Sequence, residues 1–291
     1  MKPPHVSIIS SLGAIALSFP VLSSPLEAND LSSADKLRVL LESHDVVPLD
    51  PKPDFSEAKV KLGQALFFDP VIGGNRDVSC ATCHHPTTAT TDGRSRSVGT
   101  RAYVNMGKRM PEGLSLVEVE GRDPVLMGFN FNAAAHPFTP RNAPEIFNRG
   151  DSAWKTMFWD NRIFEREDGR FVVNQNRLTK TPGYIRVVMP ESIENIAAAQ
   201  AMMPVLSDAE MRGTKGETGI NGAHNEVGEV LKQNEEEIWA ALMRRLLAFP
   251  EYEELFQAAY PDEDLAELHF AHAANAIAAF EIDSFTFHDS P

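Results

Sequence analysis

The chain contains only two cysteines, and both fall in the pentapeptide Cys80-Ala81-Thr82-Cys83-His84. Two thiols separated by two residues lie one helical turn apart, the separation at which they can add to the two vinyl groups of a porphyrin. The residue that follows then places its imidazole beneath the iron, which makes His84 the candidate proximal ligand. A zinc site would need two further Cys or His ligands at short spacing, and there is no second cysteine pair. A disulfide or a thioredoxin-like redox pair would not need the histidine directly after Cys83. The motif therefore implies one covalently held haem c. The fold around it must make room for a macrocycle. What occupies the sixth iron position then decides between electron transfer, ligand sensing and oxygen or peroxide chemistry.

The N-terminus points to the same compartment as the motif. Lys2 and His5 precede an apolar stretch from Val6 to Leu22, followed by Ser23 and Ser24. This is the pattern of an export signal spanning residues 1–23, with cleavage after Ala28 as the alternative. No later stretch is long and apolar enough to span a bilayer, so the expected location is the periplasm, with no membrane span once the signal is removed. Of the 291 residues, 41 are acidic and 27 basic, a formal charge of -14 that argues against nucleic acid or anionic membrane surfaces as partners.

Helical spacing predicts helices over Ser32–Ser43, Ser56–Phe68, Ala153–Phe158, Ser192–Met202, Glu235–Phe249 and Leu265–Phe280. The long Thr, Gly, Pro and Asn-rich region from His85 to about Arg141 reads as loop draped over a cofactor. Tyr184–Val188 alternates like a strand and could form a hairpin with Phe171–Asn174. The expected fold is mostly α, with long loops and few or no short strands.

Four blocks of this sequence resemble the bacterial dihaem cytochrome c peroxidase family, which includes MauG-type enzymes. The first runs from Leu62 to Gly99 and contains the haem motif. The second is Arg141-Asn142-Ala143-Pro144 through Asn148, and the third is Phe158-Trp159-Asp160-Asn161-Arg162. The fourth is the ungapped stretch from Ala199 to Met211, with Gln200, Pro204 and Glu210 in register. The resemblance implies a cytochrome c-like haem domain of dihaem peroxidase type over residues 24–291. It also implies that Glu210 is the distal acid and base, that Gln200 and Pro204 line the distal pocket, and that Trp159 carries electrons between haems. Asn142 matches a residue that helps hold calcium. Arg162 is expected to pair with a haem propionate or a nearby carboxylate. Splitting an O–O bond heterolytically needs a proton moved from the inner to the outer oxygen, which a carboxylate in a dry pocket can do.

Two departures qualify the resemblance. Many family members carry a haem-ligating histidine where this chain has Thr100, so the iron is expected to be open at rest. His136 in the inserted loop could substitute, but it reads first as a surface or packing histidine, and His85, His224, His269, His272 and His288 also read as ordinary residues. Family members also carry a second Cys-x-x-Cys-His in a C-terminal domain, and this chain ends at Pro291 without one, which suggests a fragment whose second haem depends on an extended chain. The leading expectation is reduction of hydrogen peroxide to water with electrons from a small monohaem cytochrome c or copper protein, or MauG-like oxidation of a protein or organic substrate. A homodimer is left open. The competing reading is a monohaem electron-transfer or haem-binding protein with no peroxide chemistry.

Overall fold

A computed structural model describes residues 32–47, 50–100, 139, 141–173, 187–219 and 222–287. The export signal, His136, His288 and most of the long loop lie outside the described residues. The chain divides into two units, Met1–Pro48 and Leu49–Pro291. Among its described residues the first unit holds a single helix, α1 (Ser33–Ser43), with no buried residue. The Ser32 hydroxyl accepts from Asp35 N at its start. Helix formation there is local, a matter of capping and of the Arg38–Asp35 pair, with no core to support it.

The second unit is built around two apolar helices. Helix α2 (Glu57–Phe68) starts where the Ser56 hydroxyl caps Lys59 N, and it buries Leu62, Leu66 and Phe67. It continues through a turn into α3 (Cys80–Cys83). The small sheet follows, with β1 (Thr156–Met157), β2 (Ile163–Glu165), β3 (Phe171–Val173) and β4 (Val187–Val188) in that order, all antiparallel. Helices α4 (Ile196–Ala201), α5 (Glu226–Glu229), α6 (Glu235–Leu246), α7 (Pro250–Ala259) and α8 (Phe270–Phe285) complete the described elements. Apart from four very short strands, the described structure is helical, as the spacing implied.

Helix α8 is the central element. Its sequence FAHAANAIAAFEIDSF is apolar on nearly every face, the mark of a helix surrounded by others. It is flanked by α2, α4 and α6. The approach of α2 is close enough to require Gly63, because a Cβ there would lie 1.8 Å from the Ala276 carbonyl oxygen. Phe67 and Phe280 stack beside this contact at 5.2 Å between ring centres. Helix α6 carries Glu235, Glu236 and Glu237 in its first turn and Arg244 and Arg245 in its last, matching the helix dipole. The buried Arg245 guanidinium donates to the Val71 and Gly73 carbonyls at 2.9 and 2.6 Å and to Gly74 O at 3.2 Å, and it pairs with Glu226. One side chain thus fixes the loop that leads from α2 to the cysteine turn.

Several boundaries differ from the spacing-based expectation. Residues 153–158 form a turn and then β1, because Thr156 and Met157 pair with Phe164 and Ile163 and this outweighs a short apolar run. Helix α4 begins only at Ile196, where the Asn195 side chain caps Ala198 N. Leu265–Glu267 is a separate 3-10 turn, and α8 starts afresh where His269 N donates to His272 Nδ1. Helix α6 ends at Leu246, short of Phe249. Helices α5 and α7 gave no apolar stripe long enough to be expected. Of the expected hairpin, 171–173 and 187–188 are among the described residues, and they pair as β3 and β4 with Val172 opposite Val188, while the rest of it lies outside them.

Candidate haem site

The cysteine turn is a single helical turn held at both ends. Ser79 N donates to the Thr82 hydroxyl at 2.9 Å, so an inner residue of the motif caps its own helix, and His84 N closes the turn on Cys80 O at 2.9 Å. Both thiols are set in protein. Burial lifts Cys80 well above the ordinary thiol range, aided by Glu281 and Cys83. Burial likewise pushes Cys83 up to about 12, aided by Asp92. Part-buried thiols on one turn, held protonated by burial, suit consumption in thioether bonds better than thiolate redox exchange.

The orientation of His84 is set by a residue that the sequence did not single out. His84 Nδ1 lies 3.1 Å from the Thr90 carbonyl, which can only accept, so this contact places the hydrogen on Nδ1, and the Pro144 carbonyl also holds the ring. Thr90 is completely buried and adopts a left-handed backbone (φ 56°), while its hydroxyl accepts from Ile146 N at 3.0 Å. A β-branched residue in that conformation is strained, and the two hydrogen bonds hold it there. Burial also lowers the His84 pKa, favouring the neutral form that can bind a metal. Nearby, Asp92 Oδ2 is buried with no hydrogen-bond partner among the described residues. Two part-buried thiols on one turn and an imidazole held neutral by burial form the donor set that a c-type haem requires, so the residues fit that group.

Glu210 stands in a wide π-type turn, Asp208–Arg212, whose first amides are capped by Ser207. Burial holds its carboxyl above the usual carboxylate range, and the Arg162 guanidinium partly opposes this. The Glu210 charge also acts on the Cys83 thiol, so the turn and the cysteine motif share one electrostatic neighbourhood although they are far apart in sequence. Arg162 pairs with Asp160 at 3.1 Å and lies over the Phe158 ring at 3.6 Å. Gln200 is on the last turn of α4 and Pro204 opens the 3-10 turn that leads to Ser207, both of them part-buried. Trp159 is 62% exposed, with the Arg141 guanidinium 3.8 Å above its ring. Asn142 is exposed, and no group of three or more His, Cys, Asp or Glu side chains among the described residues is placed to hold a metal ion.

Thr100 is buried, at 2% exposure, and bonded on three sides. Of the remaining histidines, His85 bonds to Thr87, His224 faces Glu229, and His269 and His272 stack on each other next to Glu263 and Ser192. A groove of about 1100 Å3 between α6 and the start of α8, floored by Met202, Trp239 and Phe270, contains none of the motif residues.

A family model for di-haem cytochrome c peroxidase matches residues 57–291. Methylamine utilization protein MauG of Methylorubrum extorquens is 39% identical over 80 residues, which is 28% of this chain and 22% of that protein. A cytochrome-c peroxidase of a Pseudomonas species is 38% identical over 55 residues, 19% of this chain and 15% of that protein. Among solved structures, a MauG-like protein associated with microbial copper homeostasis matches with a TM-score of 0.41 and 22% identity, over 82% of this chain and 44% of that one. A variant of the diheme peroxidase BthA of Burkholderia thailandensis matches with a TM-score of 0.37 and 17% identity, over 82% of this chain and 41% of that one. The chain thus spans less than half the length of either structure.

Proposed function

Since the chain belongs to the di-haem cytochrome c peroxidase family, whose members carry c-type haem, we propose that it is a periplasmic haem peroxidase domain that reduces hydrogen peroxide. Haem held by Cys80, Cys83 and His84 supplies the iron at which peroxide is reduced. Thr90 keeps the His84 ring in the tautomer that can ligate. Glu210 takes the proton from the inner peroxide oxygen on a carboxylate oxygen and returns it to the outer oxygen, which leaves as water. Two electrons and two protons complete the reduction to two waters, and Trp159 is the surface aromatic through which those electrons arrive. The donor is a small redox protein such as a monohaem cytochrome c or a copper protein, and oxidation of a protein or organic substrate is the variant that Thr100 favours. Gln200 and Pro204 limit access to the site, Arg162 tempers the Glu210 charge, and Asn142 is the candidate calcium contact. The apolar N-terminal segment supports export to the compartment where such thiols are joined to haem.

The observation that carries this reading is the seating of the Glu210 turn, remote in sequence, on the segments flanking the haem-binding turn, where Thr100 N donates to Glu210 O at 2.9 Å and Gly74 N to Met211 O at 2.7 Å, with burial making the Glu210 carboxyl more basic. Glu210 must be deprotonated to accept a proton, so the rate of reaction with peroxide rises with pH through its raised pKa. Glu210→Gln is expected to slow that reaction by about 10²–10⁴-fold and to abolish the rising limb, with haem still attached. Stopped-flow absorbance of the ferric protein mixed with peroxide measures both. A variant as fast as the parent at every pH removes Glu210 from the chemistry.

A further inference from the structure

We infer that Asn75, Thr100 and Asn225 are positioning residues for Glu210, joining its turn to the haem-binding turn by a dry hydrogen-bonded brace. The inference rests on the reading of Glu210 as the distal acid and base. A wide turn leaves its last carbonyls without helical donors, and buried carbonyls must be satisfied from elsewhere. Here three in succession are. Glu210 O accepts from Thr100 N at 2.9 Å, Met211 O from Gly74 N at 2.7 Å, and Arg212 O from Asn225 Nδ2 at 2.9 Å. The backbone at Gly99 is seated directly on the turn, since a Cβ there would lie 1.7 Å from Ala209 O and 3.2 Å from the Glu210 Cα.

The three donors are tied to one another through Asn75. Its Nδ2 donates to the Thr100 hydroxyl at 2.9 Å and to Glu217 Oε2 at 2.6 Å, and its Oδ1 accepts from Asn225 Nδ2 at 2.9 Å. The Thr100 hydroxyl in turn donates to Asp77 Oδ1 at 2.7 Å, and Asn225 Oδ1 accepts from Gly228 N. Asn75, Thr100 and Asn225 are 2%, 2% and 0% exposed, so water does not compete for these bonds. Asn75 and Asp77 also belong to the short segment that enters Cys80, so the brace sets the distance between the proximal and distal halves of the site. A misplacement of about 1 Å at such a site costs on the order of 100-fold in rate.

The test uses the haem-loaded protein with Thr100→Val, which keeps the shape and the backbone donor but removes the hydroxyl, and Thr100→Ser, which restores it. Two readouts are taken, the rate with hydrogen peroxide and the infrared stretching band of carbon monoxide bound to the ferrous protein, which senses the distal carboxyl. Thr100→Val is expected to slow the peroxide reaction by roughly 10- to 100-fold and to move the band toward that of Glu210→Gln. Thr100→Ser should recover both. In a Glu210→Gln background, Thr100→Val should change the rate by less than about twofold, because there is no carboxyl left to position. If Thr100→Val does not accumulate with haem, Thr100→Ala is read in the same way. An effective Glu210→Gln together with an inert Thr100→Val, or an equal loss from Thr100→Val in both backgrounds, overturns the inference alone. A Glu210→Gln variant that matches the parent overturns the catalytic reading and this inference with it.

Discussion

At the scale of single residues, what could be read from the sequence is what covalent chemistry dictates. Cys80, Cys83 and His84 are fixed by the spacing that a porphyrin demands, and the spacing is visible without any structure. Thr90 was not visible, because it acts through a backbone carbonyl brought round by a left-handed φ, and no side-chain pattern announces that. Asn75 was hidden for another reason, since its partners lie 25, 142 and 150 residues away. Glu281 was also missed, an acid in the apolar run of α8. Burial raises its carboxyl to about 8. A carboxyl that holds its proton more tightly when folded stabilises the fold fully below the unfolded pKa, near 4.5, and loses that contribution as pH rises toward 8. The slope is at most ~1.4 kcal/mol per pH unit. Urea denaturation at acidic and mildly alkaline pH should show the parent losing stability across this interval, with Glu281→Gln losing measurably less. Identical pH dependence in the two proteins would mean that Glu281 is solvated.

At the scale of elements, the apolar helices were legible and the short pieces were not. The runs that became α2, α6 and α8 carry periodicity over three or more turns, enough to outweigh local alternatives. Residues 153–158 were misread because β1 exists only through its pairing with β2, a tertiary cause that leaves no trace in a six-residue window. The packing of α2 on α8 shows the same limit. Gly63 inside a helix looks like a local weakness, yet it is the position at which the two backbones come closest. The join between α6 and the loop before the haem-binding turn depends on one buried cation. Arg245→Leu removes the buried donor of the Val71 and Gly74 carbonyls and leaves Gly73 O and the Glu226 carboxylate to their bonds from Arg76, and it is expected to cost about 3–5 kcal/mol in a denaturant titration. A loss below about 1 kcal/mol would show that water replaces the guanidinium and that the loop is held by other contacts.

At the scale of the whole molecule, family membership and the local chemistry agree on a haem centre, and the structure adds how its two faces are held. In the proposed site the proximal face depends on Thr90, and the turn proposed as the distal face is braced against the segment that enters Cys80. Trp159, exposed beneath Arg141, is the proposed point of electron entry. Thr100 is occupied in the brace, which leaves it no part as an iron ligand and is consistent with a site open at rest. The most direct test is the optical spectrum of the ferric protein, purified from a host able to mature c-type cytochromes and titrated with cyanide. The expected result is a pigmented protein with a high-spin spectrum that converts to low-spin as cyanide binds. A colourless protein, or a low-spin one indifferent to cyanide, would contradict it.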